Sequence, residues 1–179
     1  MRVTFAGGGT GGHLYPAIAI ADALVQRGLT QRVDIEFIGT RDRLEAHIVP
    51  AAGYRLRFVR ARPLLGREPI ERLRTITVNS AGIAAALVLL LKHKPDLLIA
   101  SGGYVCFPVV VAARMLRALR LLQCAIVLLE INAQPGRTNR LLAPLVDEVW
   151  GAHHDAPRSF RTKYCATGVP VRRSLNTLP

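Results

Sequence analysis

Seven consecutive residues, Gly7-Gly8-Gly9-Thr10-Gly11-Gly12-His13, combine a bare, amide-rich backbone with an imidazole. Five of the six residues from 7 to 12 are glycine, so backbone N–H groups can turn inward without interference from a Cβ. The apolar run Val3-Thr4-Phe5-Ala6 precedes them, and a helix-like stretch from Leu14 to Val25 follows. Strand, glycine loop and helix start, in that order, bring unpaired amides and the positive end of a helix dipole to one point. Such a point seats a phosphate, a diphosphate or the polar edge of a sugar. His13 stands at its rim with a side chain that titrates near neutrality, usable as a general base or a donor. The competing reading is that His13 caps the helix or simply packs.

Two further loops carry matching chemistry. Ser101-Gly102-Gly103-Tyr104 follows the apolar run 96–100, and Glu130-Ile131-Asn132-Ala133-Gln134 follows the run 126–129. Glu130, at a strand end, suits a general base, an orienting group or a helix-cap acceptor. Asn132 offers a sugar hydroxyl both a donor and an acceptor. Tyr104 can stack on a sugar face or donate its phenol. Carboxylate, amide, phenol and imidazole are thus delivered toward one rim.

Other chemistries fit less well. Gly7, Gly9 and Gly12 satisfy G-x-G-x-x-G, but a dinucleotide site also needs a carboxylate at the end of the second strand. That strand ends Phe37-Ile38-Gly39-Thr40-Arg41, where only Arg41, toward a 2′-phosphate, would serve. No Gly-Lys-Ser/Thr follows the loop, which excludes a Walker-type phosphate loop, and no Gly-x-Ser-x-Gly elbow supports hydrolase chemistry. His47, His93, His153 and His154 have no metal-ligand spacing, and neither metal nor cofactor is called for. Cys106, Cys124 and Cys165 are widely spaced and odd in number, which suggests neither a zinc site nor a disulfide framework but reduced thiols.

These loops need a scaffold. Apolar runs at 3–6, 33–38, 57–59, 97–100, 125–129 and 148–150 read as strands, alternating with helix-period segments at 14–26, 43–51, 70–92, 109–119 and 138–143. Continuous apolar strands suit a sheet covered on both faces, and strict alternation with helices gives an α/β, Rossmann-like, open and mostly parallel sheet. Ligands of such sheets bind beyond the carboxyl ends of the strands, where all three loops fall. Residues 1–167 read as one domain, and 168–179 as the start of a linker.

Half of the 179 residues are hydrophobic and only 6% are aromatic, so the core is aliphatic. Mean hydropathy is +0.26, which argues against disorder. The N-terminus runs directly into the first strand with no signal-peptide pattern, and no apolar run reaches the ~18 residues of a spanning helix. Lys plus Arg number 24 against 12 acidic residues, a net charge of +12, which favours a polyanionic partner. Seven arginines lie between Arg55 and Arg74, ahead of the apolar stretch 83–91. A second basic–apolar corner spans 114–122. Basic stretches beside apolar helices suit an anionic membrane surface, whereas the basic–aromatic interleaving of nucleic-acid binders is absent.

The run Gly8-Gly9-Thr10-Gly11-Gly12-His13-Leu14-Tyr15-Pro16 resembles the opening glycine loop of the MurG family. Ordered matches continue through Gly39-Thr40-Arg41-Asp42-Arg43-Leu44-Glu45, Gly102-Gly103-Tyr104-Val105, Glu130 with Asn132, Thr138-Asn139-Arg140 and Gly168-Val169-Pro170-Val171-Arg172. Two loops depart from the family pattern. Its usual His-Glu-Gln-Asn is Leu129-Glu130-Ile131-Asn132, and its Gly-Asn-Pro-Val-Arg is Gly168-Val169-Pro170-Val171-Arg172.

The resemblance implies the N-terminal, acceptor-side half of a two-domain GT-B glycosyltransferase. The reaction it implies is inverting transfer of N-acetylglucosamine from UDP-N-acetylglucosamine to lipid I, giving lipid II in peptidoglycan synthesis. The protein would sit peripherally on the cytoplasmic face of the bacterial cell membrane. His13 would be the base for the acceptor hydroxyl or its orienting group, with Glu130 the second candidate. The glycine loops, with Gly102, Gly103 and Tyr104, would hold the acceptor diphosphate. Thr10, Gly11, Gly12, Asn132 and Arg172 match positions that reach the donor, and Asn139 falls in a matching segment. Most donor contacts would come from a C-terminal domain. A non-catalytic membrane-docking subunit and a nicotinamide-binding domain are the alternatives.

Overall fold

The computed structural model describes residues 1–64, 69–153, 160 and 162–171. Among the described residues seven strands form one sheet: β1 (Val3–Ala6), β2 (Ile35–Gly39), β3 (Arg55–Phe58), β4 (Leu97–Ala100), β5 (Ala125–Glu130), β6 (Glu148–Gly151) and β7 (Lys163–Ala166). Their order is β3-β2-β1-β4-β5-β6-β7, and all six pairings are parallel. The helices are α1 (Gly11–Gln26), α2 (Glu45–Ala51), α3 (Pro69–His93), α4 (Cys106–Ala118) and α5 (Arg137–Leu142).

Successive residues of the central strands serve opposite cores, which is why these strands read as unbroken apolar runs. Phe5 and Ile99 join the cluster under α1, with Leu14 and Ala17. Ala6 and Leu98 join the cluster under α3 and α4, with Ala86, Leu90 and Val109. Phe5 stacks on Phe37 with ring centroids 4.8 Å apart.

Chain order reverses between β1 and β4, which are neighbours with Ala6 opposite Ala100. The loops after these two strands therefore leave the sheet side by side, at the crevice where open α/β sheets bind ligands.

The structure departs from the sequence expectation in several places. Residues 32–34 form a 3-10 turn, so β2 starts at Ile35. The polar edge strand β3 begins two residues earlier than its apolar core suggests. Strand β7, KYCA, was not expected, because half its residues are polar and only its pairing with β6 makes it a strand. Helices α1 and α4 begin before their apolar periodicity, the first at Gly11 itself.

Helix α3 is long and apolar enough on composition to cross a bilayer. Its face of Thr75, Asn79, Gly82, Ala86 and Leu90 is nonetheless buried. A Cβ at Gly82 would meet the Arg60 carbonyl at 2.0 Å and Pro108 of α4 at 3.2 Å. The opposite face of its first turns exposes Ile70, Leu73 and Ile76 by 62–80%.

Candidate functional site

Glycine at the two crevice loops is required by contact, not only by turn geometry. A Cβ at Gly103 would lie 2.5 Å from the Gly8 carbonyl, and one at Gly7 would lie 2.0 Å from Ser101 Oγ. The two loops thus abut backbone to backbone. Gly9, Gly102 and Gly103 have φ of +88°, +110° and +84°, a region that L side chains avoid.

The space left open is filled by His13. A Cβ at Gly102 would fall 2.4 Å from Nδ1 and 2.7 Å from Cε1 of His13, and one at Gly103 would be 3.5 Å from Cδ2. Nδ1 is buried and lacks a hydrogen-bond partner among the described residues. Burial holds the imidazole below its ordinary 6.5, opposed by the negative charge of Glu130 and by the Ser101 backbone. The Ser101 contact favours the protonated ring without making a bond of normal geometry to Nδ1. The buried Nδ1 is closed to a ligand, so proton exchange with an acceptor falls to Nε2, and burial favours the neutral ring that a base requires.

Glu130 is 2% exposed and is engaged on both oxygens. Oε1 accepts from the backbone N and Nδ2 of Asn132, each at 3.0 Å. Oε2 accepts from Gly136 N at 3.1 Å and Asn139 Nδ2 at 2.8 Å. Asn139 also donates to the Leu129 carbonyl at 3.2 Å, so it ties the start of α5 to the end of β5. The carboxylate organises its own loop, and its charge acts on His13. The exposed Asn132 spends one of its two Nδ2 N–H groups on Glu130, which leaves the other N–H and Oδ1 for a ligand.

Sequence reasoning missed a second carboxylate of the same kind. Glu45 is fully buried. Its Oε2 accepts from Gly9 N at 3.0 Å, and its Oε1 from Thr40 N at 2.9 Å and Thr40 Oγ1 at 2.6 Å. Gly8 and Gly39 make room for it, since a Cβ at either would stand 2.4–2.6 Å from its side chain. The signal in the sequence was a pair of glycines, Gly39 ending β2 and Gly8 just past β1, ahead of an acidic residue. Cys106 was missed as well. Its thiol takes a bond from Gly102 N at 3.2 Å and lies 3.1 Å from both the Ala6 and Gly102 carbonyls. Burial raises its pKa to about 12, so it is a protonated clasp between the two loops.

These contacts alter the diphosphate expectation for the glycine loops. The amides of Gly9 and Gly102 are already donated within the protein, and Glu45 places negative charge directly behind the first loop. Gly11 and Gly12 open α1, and Thr10 and Gly12 are exposed at its start. Tyr104 is half-buried, with its ring 3.5 Å from where a Gly9 Cβ would stand. The crevice therefore brings together His13, Gly102, Gly103, Tyr104, Thr10, Gly11 and Gly12. Glu130, Asn132 and Asn139 form the adjoining loop. Arg172, Arg67 and His154 lie outside the described residues.

The chain matches the glycosyltransferase family 28 N-terminal domain over residues 3–150. It is 39% identical over 177 residues to an enzyme of Caldanaerobacter subterraneus subsp. tengcongensis, covering 98% of this chain and 46% of that protein. That protein is named UDP-N-acetylglucosamine–N-acetylmuramyl-(pentapeptide) pyrophosphoryl-undecaprenol N-acetylglucosamine transferase. A protein of the same name from Alkaliphilus oremlandii is 37% identical over 174 residues, covering 96% of this chain and 45% of its own length. The chain thus spans about half the length of these relatives.

Among solved structures, Acinetobacter baumannii MurG superposes with a TM-score of 0.72 at 26% identity, over 91% of this chain and 44% of that one. The calicheamicin glycosyltransferase CalG4 shares the fold with a TM-score of 0.57 at 16% identity, over 94% and 52% of the two chains. A match of this extent, on a parallel sheet whose crevice seats His13 between two glycine loops, shows that the chain belongs to glycosyltransferase family 28, as its N-terminal domain.

Proposed function

We propose that this chain is the acceptor-side half of a transferase that moves N-acetylglucosamine from UDP-N-acetylglucosamine to lipid I. The observation that carries this reading is the His13 imidazole. It is half-buried and held below its ordinary pKa, with Nδ1 buried and unpaired among the described residues, in a notch cut by Gly102 and Gly103. The relatives' names supply the substrates.

His13 takes the proton from the acceptor C4 hydroxyl. The freed oxygen attacks the anomeric carbon of the donor sugar from the face opposite UDP. The new C–O bond forms as the bond to UDP breaks, and the configuration inverts. Glu130 serves as a positioning residue, because its oxygens are committed to Asn132, Gly136 and Asn139. Its charge stabilises the imidazolium that forms on His13. Thr10, Gly11, Gly12 and the exposed Asn132 are assigned to the donor side, with Arg172 assigned there by the family match alone.

The acceptor is membrane-borne, and α3 suits that source. Ile70, Leu73 and Ile76 form an exposed apolar stripe beside Arg72 and Arg74. Such a stripe lies in the interface of an anionic leaflet, here the cytoplasmic face of the bacterial membrane.

The test is transfer of radiolabelled N-acetylglucosamine to lipid I, by this chain alone and joined to the C-terminal half of a relative. Activity is expected only in the joined protein. His13→Ala should lower the rate by about 10²–10⁴, and unchanged turnover in that variant would refute the assignment.

A further inference from the structure

A cleft of about 990 Å³ opens beside the reaction crevice, and the proposed function leaves it unused. Its walls are the β2–α2 and β3–α3 connections and one face of α3. Arg41, Arg43, Arg60 and Arg62 all line it, against one carboxylate, Asp42, among the described residues.

Their partners leave much of this charge unanswered. Arg43 and Arg60 form no ion pair among the described residues, and Arg41 lies over the Phe58 ring at 5.0 Å. Arg62 is the most constrained. Asn79, 3% exposed, accepts from its backbone N–H and donates to its carbonyl, both at 3.1 Å. Its Nη2 meets Glu71 at 3.4 Å, while Nη1 is buried with no acceptor among the described residues. A buried guanidinium N–H without an acceptor is costly unless a ligand supplies one.

The position of the cleft identifies the ligand. Tyr104 lines it and also stands against the first glycine loop, so one end meets the crevice that holds His13. The other end is Arg62, joined through Glu71 to the first turn of α3, where Ile70 and Leu73 are exposed. Arginines therefore lie between the apolar stripe and the base. In an acceptor whose order is lipid, diphosphate, sugar, the diphosphate occupies that interval. Arginine is the side chain that grips such oxyanions bidentately.

We infer that the cleft lined by Arg41, Arg43, Arg60 and Arg62 is the seat of the acceptor's prenyl-linked diphosphate, with the glycine loops reserved for the sugar. This inference rests on the proposed function for the order of the acceptor's parts. Phosphate esters also reach a basic surface as membrane headgroups, so the experiment separates the two sources.

Geranyl diphosphate is titrated into this chain by calorimetry, with inorganic pyrophosphate as competitor. Binding to phosphatidylglycerol–phosphatidylcholine vesicles is measured by sedimentation. Arg43→Ala/Arg60→Ala is the test variant, because both side chains are exposed and carry no structural bond; circular dichroism checks its fold. The expected result is geranyl diphosphate binding that pyrophosphate displaces and that the double variant weakens about tenfold. Vesicle binding should change by less than about twofold.

Unchanged diphosphate affinity in the variant overturns the inference. So does a parent chain that ignores geranyl diphosphate while the variant loses vesicle binding, which would reassign the arginines to headgroups. N-acetylglucosamine transfer by the joined protein, with diphosphate binding indifferent to these arginines, sinks the cleft alone. Arginine-dependent diphosphate binding in a joined protein that performs no transfer sinks the function alone.

Discussion

Nδ1 of His13 lies 2.4 Å from the point where a side chain at Gly102 would begin. The imidazole occupies space that only a glycine leaves, at a φ of +110° that only glycine adopts readily. Gly102→Ala should therefore displace His13 and strain the loop together. The expected cost is about 1–3 kcal/mol in stability, read as a lowered Tm, with a loss of transfer on the order of 10² in the joined protein. An alanine variant with parental Tm and rate would show that the notch is not tight.

The pH dependence of His13 has a definite sign. Burial lowers its folded pKa below 6.5. Its contribution to stability is therefore complete above 6.5 and is lost as pH falls through the lowered folded value. As a base it is already neutral at pH 7. The expected kcat/KM profile is flat on the acid side of neutrality down to about 6.5 and falls only below it. A limb centred between pH 7 and 8 would contradict a desolvated imidazole.

Glu130→Gln keeps the size of the side chain and replaces one acceptor oxygen with a donor. Each Glu130 oxygen now receives two N–H groups, so either orientation of the amide sets donor against donors. A loss of about 1–3 kcal/mol is expected, with the Asn132 loop and the start of α5 loosened in hydrogen exchange. A variant slowed in transfer but with full stability would instead mark Glu130 as a base with no structural task.

Gly8→Ala tests the corresponding carboxylate. The new methyl would meet Glu45 Oε1 at 2.4 Å, and Glu45 is the acceptor that holds Gly9 and Thr40. The variant should lose about 1–3 kcal/mol, and Glu45→Gln should lose a similar amount by turning a donor toward Gly9 or Thr40. Urea denaturation measures both.

Thiol labelling reads the clasp between the loops. Burial raises both Cys106 and Cys124 to about 12, whereas Cys165 is exposed. At pH 8 a thiolate-selective reagent should modify one cysteine rapidly in the folded chain and all three in urea. Fast labelling of Cys106 would show that the crevice loops open.

Much of the architecture was legible because strands and helices here differ in period and length. The central strands had to be apolar on both faces, so 3–6, 97–100 and 125–129 stood out in the sequence. Strand β7 did not, since an edge strand with alternating exposure carries no such run. The glycine loops and His13 were legible from composition alone. Glu45 was not, because a carboxylate in the first turn of a short helix reads as surface until the fold buries it. Cys106 and Asn79 were hidden for the same reason: each answers backbone groups brought near it by segments distant in sequence.

The sequence by itself determined the open α/β sheet, the crevice edge and the residue types delivered there, because these follow from hydrophobic period and glycine content. Only the tertiary structure decided what each group does. It buried Nδ1 of His13 with no partner among the described residues, committed Glu130 and Glu45 to loop amides, and gathered four arginines from two connections into one cleft. Burial and hydrogen-bond partnership are properties of neighbours in space, and these neighbours lie up to 100 residues apart along the chain.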